Sequence, residues 1–572
     1  MATIKEQYDE AITQLTQEGS PFSLGQKTVD GVSYKVFDQA AKNLPDIYAE
    51  ARAHGDKDFI VYEGERWSFN DVFKQADAIG YQLLNDLGVE KGDRVAIAMR
   101  NYPEWITSFI AITSIGAVVV PLNSWGQAKE LEYALTDAGA KVVFCDQQRL
   151  DYIADRLPAL GIQAIVARPT AAAVNDSIQT LEDFTAGLDE QTMPQVEIAG
   201  EELGLMMYTS GTTGNPKGAV SSQHAVCQAL TAFEVSGYAH AMSNPEALET
   251  LASKGYEPAQ MLAVPLFHVS GCYAVFLLSL KAGRRIVMMY KWDAQQALQL
   301  IEQERVTVLS AAPTMIMEML ELPEFDPVKT HSLWNVGGGG SATPPRAAQL
   351  ILEKVDAPYP GTGWGMTESN AVGASFTGQA FQYKPGSAGF VAPVVDIEIR
   401  DSDGNLAEPG EAGILWIKSP TLIKEYWNKP EANAKDFKEG WFDSGDIGYF
   451  DEEGYLFLSD RAKDMIIRGG ENIYPAEIEA VLFDHPEILE ATVFGLPDSR
   501  MGEQVAACIK PRPGSNVEKD AIKDFARQHL AGFKVPHYVW IHNEELPKNA
   551  SGKVLKKDLK EAMINNLGLR AD

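Results

Sequence analysis

From residue 44 onward the chain alternates stretches of helical spacing with short apolar runs: NLPDIYAEARAHG, then FIVYEGERWSF, then NDVFKQADAIGYQLLNDLG, then RVAIAM. Apolar residues recurring every three or four positions suit helices, and short continuous apolar runs suit buried strands. Their repeated alternation predicts layered α/β structure with largely parallel sheets. Asn70 stands where a helix N-cap belongs and Gly88 where that helix should stop. RVAIAMRNYPEWITSFIAITSIGAVVVPLN predicts a further crossover unit of strand, helix and strand, and KELEYALTDAG with KVVFC adds another helix and strand.

MLAVPLFHVSGCYAVFLLSLKAG predicts a buried strand followed by a helix apolar nearly all round, which must lie in the interior. VTVLSAAPTMIMEML repeats the strand and helix, and NVGGGGSATPP is a strand end that opens into four glycines. Where a parallel strand ends in a glycine loop, α/β proteins commonly bind ligands. KPGSAGFVAPVVDIEIRDSDGNLAEPGEAGILWIKSP turns to short alternating strands with Asp-Gly and Pro-Gly turns, a β subdomain. From Tyr474 to the end the order is helix, strand, strand, helix, a small α+β domain. The stretch 236–260 is polar and reads as loop. The first 43 residues read as an extension with one amphipathic helix and a loop through Gly31. The expected division is an extension over 1–43, a large α/β domain with its β subdomain over 44–462, and a small C-terminal domain over 463–572.

At 572 residues the chain is too long for one compact core. Apolar residues at 45% and charged residues at 22% are ordinary for a globular protein. A net charge of -30 argues against nucleic acid or an anionic membrane as partner, since both would repel it. Cys145, Cys227, Cys272 and Cys508 lie far apart with no metal-type spacing, and they suit reduced core residues of a cytoplasmic protein. The nine histidines form no pair with metal-ligand spacing, so no metal cage built by the protein is expected. The longest apolar stretch, 109–122, is broken by Thr113, Ser114 and Gly116 and is too short to span a bilayer, and the N-terminus lacks a signal-peptide core.

Against this background residues 208–220, YTSGTTGNPKGAV, stand out. Gly211, Gly214 and Gly218 let the backbone bring its N–H groups close to a ligand. Thr209, Ser210, Thr212 and Thr213 add hydroxyl donors, and Lys217 a mobile positive charge. Placed between an apolar strand at 203–207 and a stretch of helical spacing at 222–233, the run reads as a phosphate cradle. It is not a Walker loop, because Lys217 sits between Pro216 and Gly218 rather than before Ser or Thr. A second run, GTGWGMTESN at 361–370, places Trp364 between Gly363 and Gly365 as a flat face for a purine. Thr367 follows with a hydroxyl, and Glu368 with a hard carboxylate suited to Mg²⁺ on ATP phosphates. In WFDSGDIGYFDEEGYLFLSDRAK, Asp446 reads as a turn residue able to accept both ribose hydroxyls, and Arg461 as a donor to the same sugar.

These runs resemble the signatures of the adenylate-forming superfamily, which contains acyl-CoA synthetases, luciferases and the adenylation domains of peptide synthetases. The resemblance covers almost the whole chain. It implies that Gly339, Gly340 and Ser341 line the adenine, joined by Gly363, Trp364, Gly365, Met366 and Thr367 of the second run. It implies that His268, in PLFHVSG, walls the carboxylate pocket, and that Asp446 and Arg461 hold the ribose. It singles out Lys553, in LPKNASGKVLKKDL, as the catalytic lysine, acting with Thr209 and Glu368. It makes Lys463 the pivot of a mobile C-terminal domain, and it sets Gly469, Gly470 and Glu471 beside the pantetheine of coenzyme A. Two positions depart from the family pattern: Trp364 stands for a tyrosine, and Lys463 for an aspartate.

The implied activity is that of an AMP-forming acyl-CoA ligase using ATP, Mg²⁺ and coenzyme A. The apolar run after His268 points to a hydrophobic acid, medium to long chain or bulky. An aryl-acid CoA ligase, an enzyme that loads a carrier protein, a luciferase-like oxygenase and a homodimeric state stay open.

Overall fold

The computed structural model describes residues 3–171, 176–209, 216–339, 345–356, 359–401, 403–549 and 552–569. Among them two large sheets form the body of the chain. In the first, strands Arg94–Ala98, Val118–Pro121, Ala140–Asp146 and Gln163–Ala167 run parallel, with Leu203–Tyr208 parallel to Val118–Pro121. In the second, Asp58–Tyr62, Arg285–Met288, Ala259–Leu262, Val308–Ser310, Asn335–Gly339 and Tyr359–Trp364 run parallel in that spatial order. Ala374–Thr377 adds to it antiparallel. The expected α/β architecture is therefore observed.

One apolar core lies between the sheets. It takes Val95 and Ile97 from the first sheet, Ile60, Leu262 and Ile286 from the second, and helices from between them. Helix Pro103–Ser114 has every residue buried. The helical run 269–282, with its π-helical stretch Cys272–Leu277, buries Cys272, Tyr273, Val275, Phe276 and Leu277 completely. A helix with no polar face can only be accommodated there.

The glycines of NVGGGG have a packing reason. A Cβ on Gly337 would lie 2.2 Å from the carbonyl oxygen of Gly361, and one on Gly338 would lie 2.0 Å from that of Ala311. Only bare backbone lets these strands approach as they do.

A third, antiparallel sheet contains Asp396–Arg400, Gly413–Lys418, Trp441–Phe450 and Leu456–Arg461 and forms the β subdomain. The C-terminal part has its own sheet, in which Ile488–Asp498 pairs antiparallel with Gly502–Pro511 and Tyr538–Ile541 parallel to it. Its core is separate, built on Ile466, Val493, Val505 and Ile522. It meets the larger part through an ion pair of Arg512 with Glu321 at 3.0 Å and through Gly552, whose Cβ position lies 3.3 Å from that of Ala312. No helix of the described residues is long and apolar enough to cross a membrane.

Six sequence readings need correction. Asn70 is not the N-cap: helix Phe69–Asn85 begins before it and is capped by Ser68, whose side chain accepts from the Asp71 amide. The C-terminal part adds strand Tyr538–Ile541 and helix Lys556–Leu567 to the expected helix, strand, strand and helix. The run 208–220 takes in the end of strand Leu203–Tyr208 and the start of strand Gly218–Ser222, which pair antiparallel, and the helix Gln223–Met242 begins only after the second. The cradle is thus a hairpin loop and not a helix N-terminus. The stretch 236–260 is mostly helical: Gln223–Met242 runs through its start and Pro245–Lys254 follows. The loop through Gly31 is the turn of a hairpin, Leu24–Val29 with Val32–Phe37, in which Asp30 and Gly31 both take positive φ, 49° and 81°. Two such residues fit the twist of a two-residue hairpin. Asp446 is on no turn; it lies within strand Trp441–Phe450, next to a register shift and to Gly445 with φ +67°.

Candidate active site

The strand Trp441–Phe450 sets Asp446 directly across from Arg461 on Leu456–Arg461. Their side chains close the pair, Arg461 Nε to Asp446 Oδ1 at 3.0 Å. Asp446 is buried, and its other oxygen, Oδ2, accepts from the indole Nε1 of Trp364 at 2.8 Å. A buried carboxylate needs donors of this kind. Trp364 ends strand Tyr359–Trp364, and its ring is packed so closely on Gly373 that a Cβ there would lie 2.7 Å from Cε3. The indole presents its polar edge to Asp446. Gly363 pairs with Gly339 across the strands. Gly365 lies under the carbonyl of Ala371, which a Cβ would meet at 2.2 Å, and Met366 leads into the turn Thr367–Ser369 that carries Glu368.

Glu368 Oε1 accepts from the hydroxyl of Tyr426 at 2.7 Å. The ring of the same tyrosine lies under the ammonium of Lys217, 3.6 Å from Nζ to the centroid. Lys217 also donates to Asp436 at 3.3 Å. Thr209 is the last described residue before the loop, and its amide donates to the carbonyl of Lys217 at 2.9 Å, closing the hairpin. Ser210, Gly211, Thr212, Thr213 and Gly214 lie outside the described residues, as do Gly340 and Ser341.

The C-terminal part delivers Lys553 to this region. Its pKa is pushed down to about 8, first by burial and then by the positive charge of Arg461, with Lys463 acting in the same sense against Asp464 and Asp446. Lys463 is lowered too, by burial and then by Arg461, and Glu368 and Asp446 oppose the shift. Three cations and the carboxylates of Glu368, Asp446 and Asp464 therefore share one electrostatic neighbourhood. Burial and Arg461 lower both lysines in spite of these carboxylates, so their charged forms would gain from a further anion, and the site suits a polyphosphate. Among the described residues no group of three His, Cys, Asp or Glu is placed to hold a metal. Glu368 offers a single hard carboxylate, which suits a metal that arrives already bound to phosphates.

Two predicted groups stand apart. His268 caps the helical run 269–282, its Nδ1 accepting from the Ser270 amide at 3.3 Å and lying 2.9 Å from the Ser270 hydroxyl. Burial pushes its pKa down to about 4, so it is neutral near pH 7. Gly469, Gly470 and Glu471 form the exposed turn between Ile466–Arg468 and Glu471–Ile473, both glycines at positive φ. Tyr426 and Asp436 were not singled out from sequence. A tyrosine followed by tryptophan in KEYWNKP looks like a core aromatic, and only the pairing of Glu425–Tyr426 with Gly218–Ser222 brings it to the phosphate hairpin.

Two stacked α/β sheets, a β subdomain carrying an Asp–Arg pair and a small domain that inserts a lysine beside that pair define an adenylate-forming enzyme. Residues 47–427 match the AMP-binding enzyme family and residues 477–553 the AMP-binding enzyme C-terminal domain. The chain belongs to the AMP-binding enzyme family. It is 35% identical over 485 residues to a long-chain-fatty-acid–CoA ligase, FadD13, of Mycobacterium tuberculosis, covering 84% of this chain and 90% of that protein. It is 31% identical to a long-chain-fatty-acid–CoA ligase of Bacillus subtilis, covering 92% and 95%. Among solved structures it is similar to o-succinylbenzoate CoA synthetase (MenE) from Bacillus subtilis. The complex with the acyl-adenylate intermediate superposes with a TM-score of 0.73 at 28% identity, covering 91% of this chain and 98% of that one. The complex with ATP and magnesium ion gives a TM-score of 0.72 at the same identity, covering 90% and 98%.

Proposed function

We propose that the protein is an AMP-forming acyl-CoA ligase that activates a hydrophobic carboxylic acid with ATP and passes the acyl group to coenzyme A. The observation that carries this reading is that Lys553 of the small domain lies within the electrostatic reach of Arg461, Lys463 and Asp446, with the neighbouring Gly552 packed against Ala312 of the larger part. The named activities of the relatives support it.

In the first step a carboxylate oxygen attacks the α-phosphorus of ATP, and pyrophosphate leaves. Asp446 and Arg461 hold the ribose, with Trp364 and the glycine strands 335–339 and 359–364 against the base. Lys553, Lys217 and the hydroxyls from Thr209 onward stabilise charge on the transferring phosphoryl group. Glu368 is the residue that would hold Mg²⁺ brought in with ATP, which would neutralise phosphate charge. His268, being neutral, can border the acid without an ion pair, and the apolar run 269–282 behind it suits a hydrophobic acid.

In the second step the coenzyme A thiolate attacks the acyl carbonyl and AMP departs. Lys553 must leave for the thiol to enter, so the domain 463–572 turns about Lys463 relative to 44–462, bringing Gly469, Gly470 and Glu471 to the thiol path. The exposed position of that turn and the electrostatic coupling of Lys553 to Arg461 support reading this orientation as the adenylating one.

The test is a pyrophosphate-release screen with ATP, Mg²⁺ and acids of graded length and shape, with and without coenzyme A. Release with hydrophobic acids and thioester formation on adding coenzyme A are expected. A preparation that releases pyrophosphate with no acid of the series would overturn the reading, and acyl adenylate that persists in coenzyme A would point to a carrier protein as acceptor.

A further inference from the structure

We infer that Tyr426 is a positioning residue for the nucleotide phosphates, orienting Glu368 through its hydroxyl and Lys217 through its ring. The inference rests on the roles proposed above for those two residues and adds the group that ties them together.

Tyr426 is buried, on the two-residue strand Glu425–Tyr426 at the edge of the first sheet, where it pairs with Ala219 of the phosphate hairpin. Its backbone is clamped from the other side: its amide donates to Asn433 Oδ1 at 2.8 Å, and its carbonyl accepts from Asn433 Nδ2 at 2.9 Å. The helix Pro430–Asp436 that carries Asn433 ends at Asp436, the counter-ion of Lys217. The segment 425–436 thus contacts the phosphate elements three times, by the Tyr426 hydroxyl on Glu368, the Tyr426 ring on Lys217 and the Asp436 carboxylate on Lys217.

A buried phenol needs a hydrogen-bond partner, but a neutral amide would meet that need at lower desolvation cost than a carboxylate. The choice of Glu368 makes structural sense only if the carboxylate has a further task, and a donor fixed on Oε1 sets its plane for that task. The ring face likewise holds an ammonium in a fixed place while leaving its N–H donors to turn outward. The backbone of Glu368 is tied to the residues just before that segment, since the Ile423 amide donates to its carbonyl at 2.8 Å. Carboxylate and ammonium come from elements 151 positions apart in sequence, and a single side chain sets their spacing before ATP arrives.

The test is equilibrium calorimetry of ATP binding to the full-length protein, in EDTA and in saturating MgCl₂, for wild type, Y426F, Y426L and E368Q. Y426F keeps the ring and loses the hydroxyl. It should keep metal-free ATP affinity and lose about tenfold of the gain that Mg²⁺ confers. Y426L, lacking the platform as well, should also lose about fivefold in metal-free affinity. E368Q reports on the underlying reading, and it should lose the Mg²⁺ gain. A Y426F protein with the wild-type gain beside an E368Q protein that lost it would overturn the inference alone. An E368Q protein that kept the gain would overturn the role proposed for Glu368. Loss of metal-free binding in Y426F would show a merely structural residue and would also overturn the inference.

Discussion

The indole nitrogen of Trp364 donates to Asp446 at 2.8 Å, and through that carboxylate it is joined to Arg461. A tyrosine at position 364, as in the family pattern, carries no ring N–H, so this contact belongs to the departure from that pattern. Trp364→Phe should weaken ATP binding about tenfold, the worth of a hydrogen bond to a charged group, while leaving the acid unaffected. Steady-state kinetics with ATP and acid varied separately would show it. Equal change in both Michaelis constants would mean that the ring acts only by packing.

Lys553 titrates at about 8, lowered by burial and then by Arg461. The charged form is needed at the phosphate, so kcat/KM for ATP in adenylation should fall as pH rises through about 8. Lys463→Ala removes one of the like charges and should move that fall to higher pH. For stability the sign is opposite. The folded protein binds fewer protons than the unfolded chain between about 8 and the ordinary lysine value of 10.5, so this residue makes stability rise with pH across that window.

Lys553→Ala should slow acyl-adenylate formation about a hundredfold, the typical loss for one charged contact to a transition state. Transfer from preformed acyl adenylate to coenzyme A should remain near the wild-type rate, because in the proposed alternation the lysine has left by then. Single-turnover assays of the two half-reactions separate these outcomes.

The ion pair of Arg512 with Glu321 spans the two parts at 3.0 Å, with both side chains about a quarter exposed. Such a pair contributes about 1 kcal/mol or less. Glu321→Gln should therefore tip the balance of domain orientations by at most about fivefold, speeding the thiol step relative to adenylation. The ratio of the half-reactions reads it, and an unchanged ratio would show that the pair does not hold the closed form.

Tyr8 of helix Ile4–Thr16 is buried with its ring 4.7 Å from His240 and 4.6 Å from Phe390. Phe376 lies on the strand beside Tyr359–Trp364 and Phe390 on the strand after it, so the N-terminal helix packs against that end of the second sheet. Tyr8→Ala should cost about 3 kcal/mol by opening a cavity, seen as a lower midpoint of denaturant unfolding. A shift within error of wild type would mean the helix is only loosely attached.

The amino-acid sequence alone determined the α/β class, the separate small C-terminal domain and the residue types at the site. These follow from local composition: apolar periodicity sets helix or strand, and clustered glycines, hydroxyls and cations mark a place for phosphate. The tertiary structure decided what depends on distant partners. YTSGTTGNPKGAV has no periodicity, so only the antiparallel pairing of Met206 with Val220 shows it to be a hairpin. Asp446 sits beside a bulge that breaks the alternation by which a strand is recognised. Tyr426 resembles any core aromatic until an edge strand carries it to Glu368 and Lys217, and Lys553 comes under the influence of Arg461 only through the packing of the small domain on the larger part. Contacts between residues far apart in sequence arise from folding geometry, which local patterning does not encode.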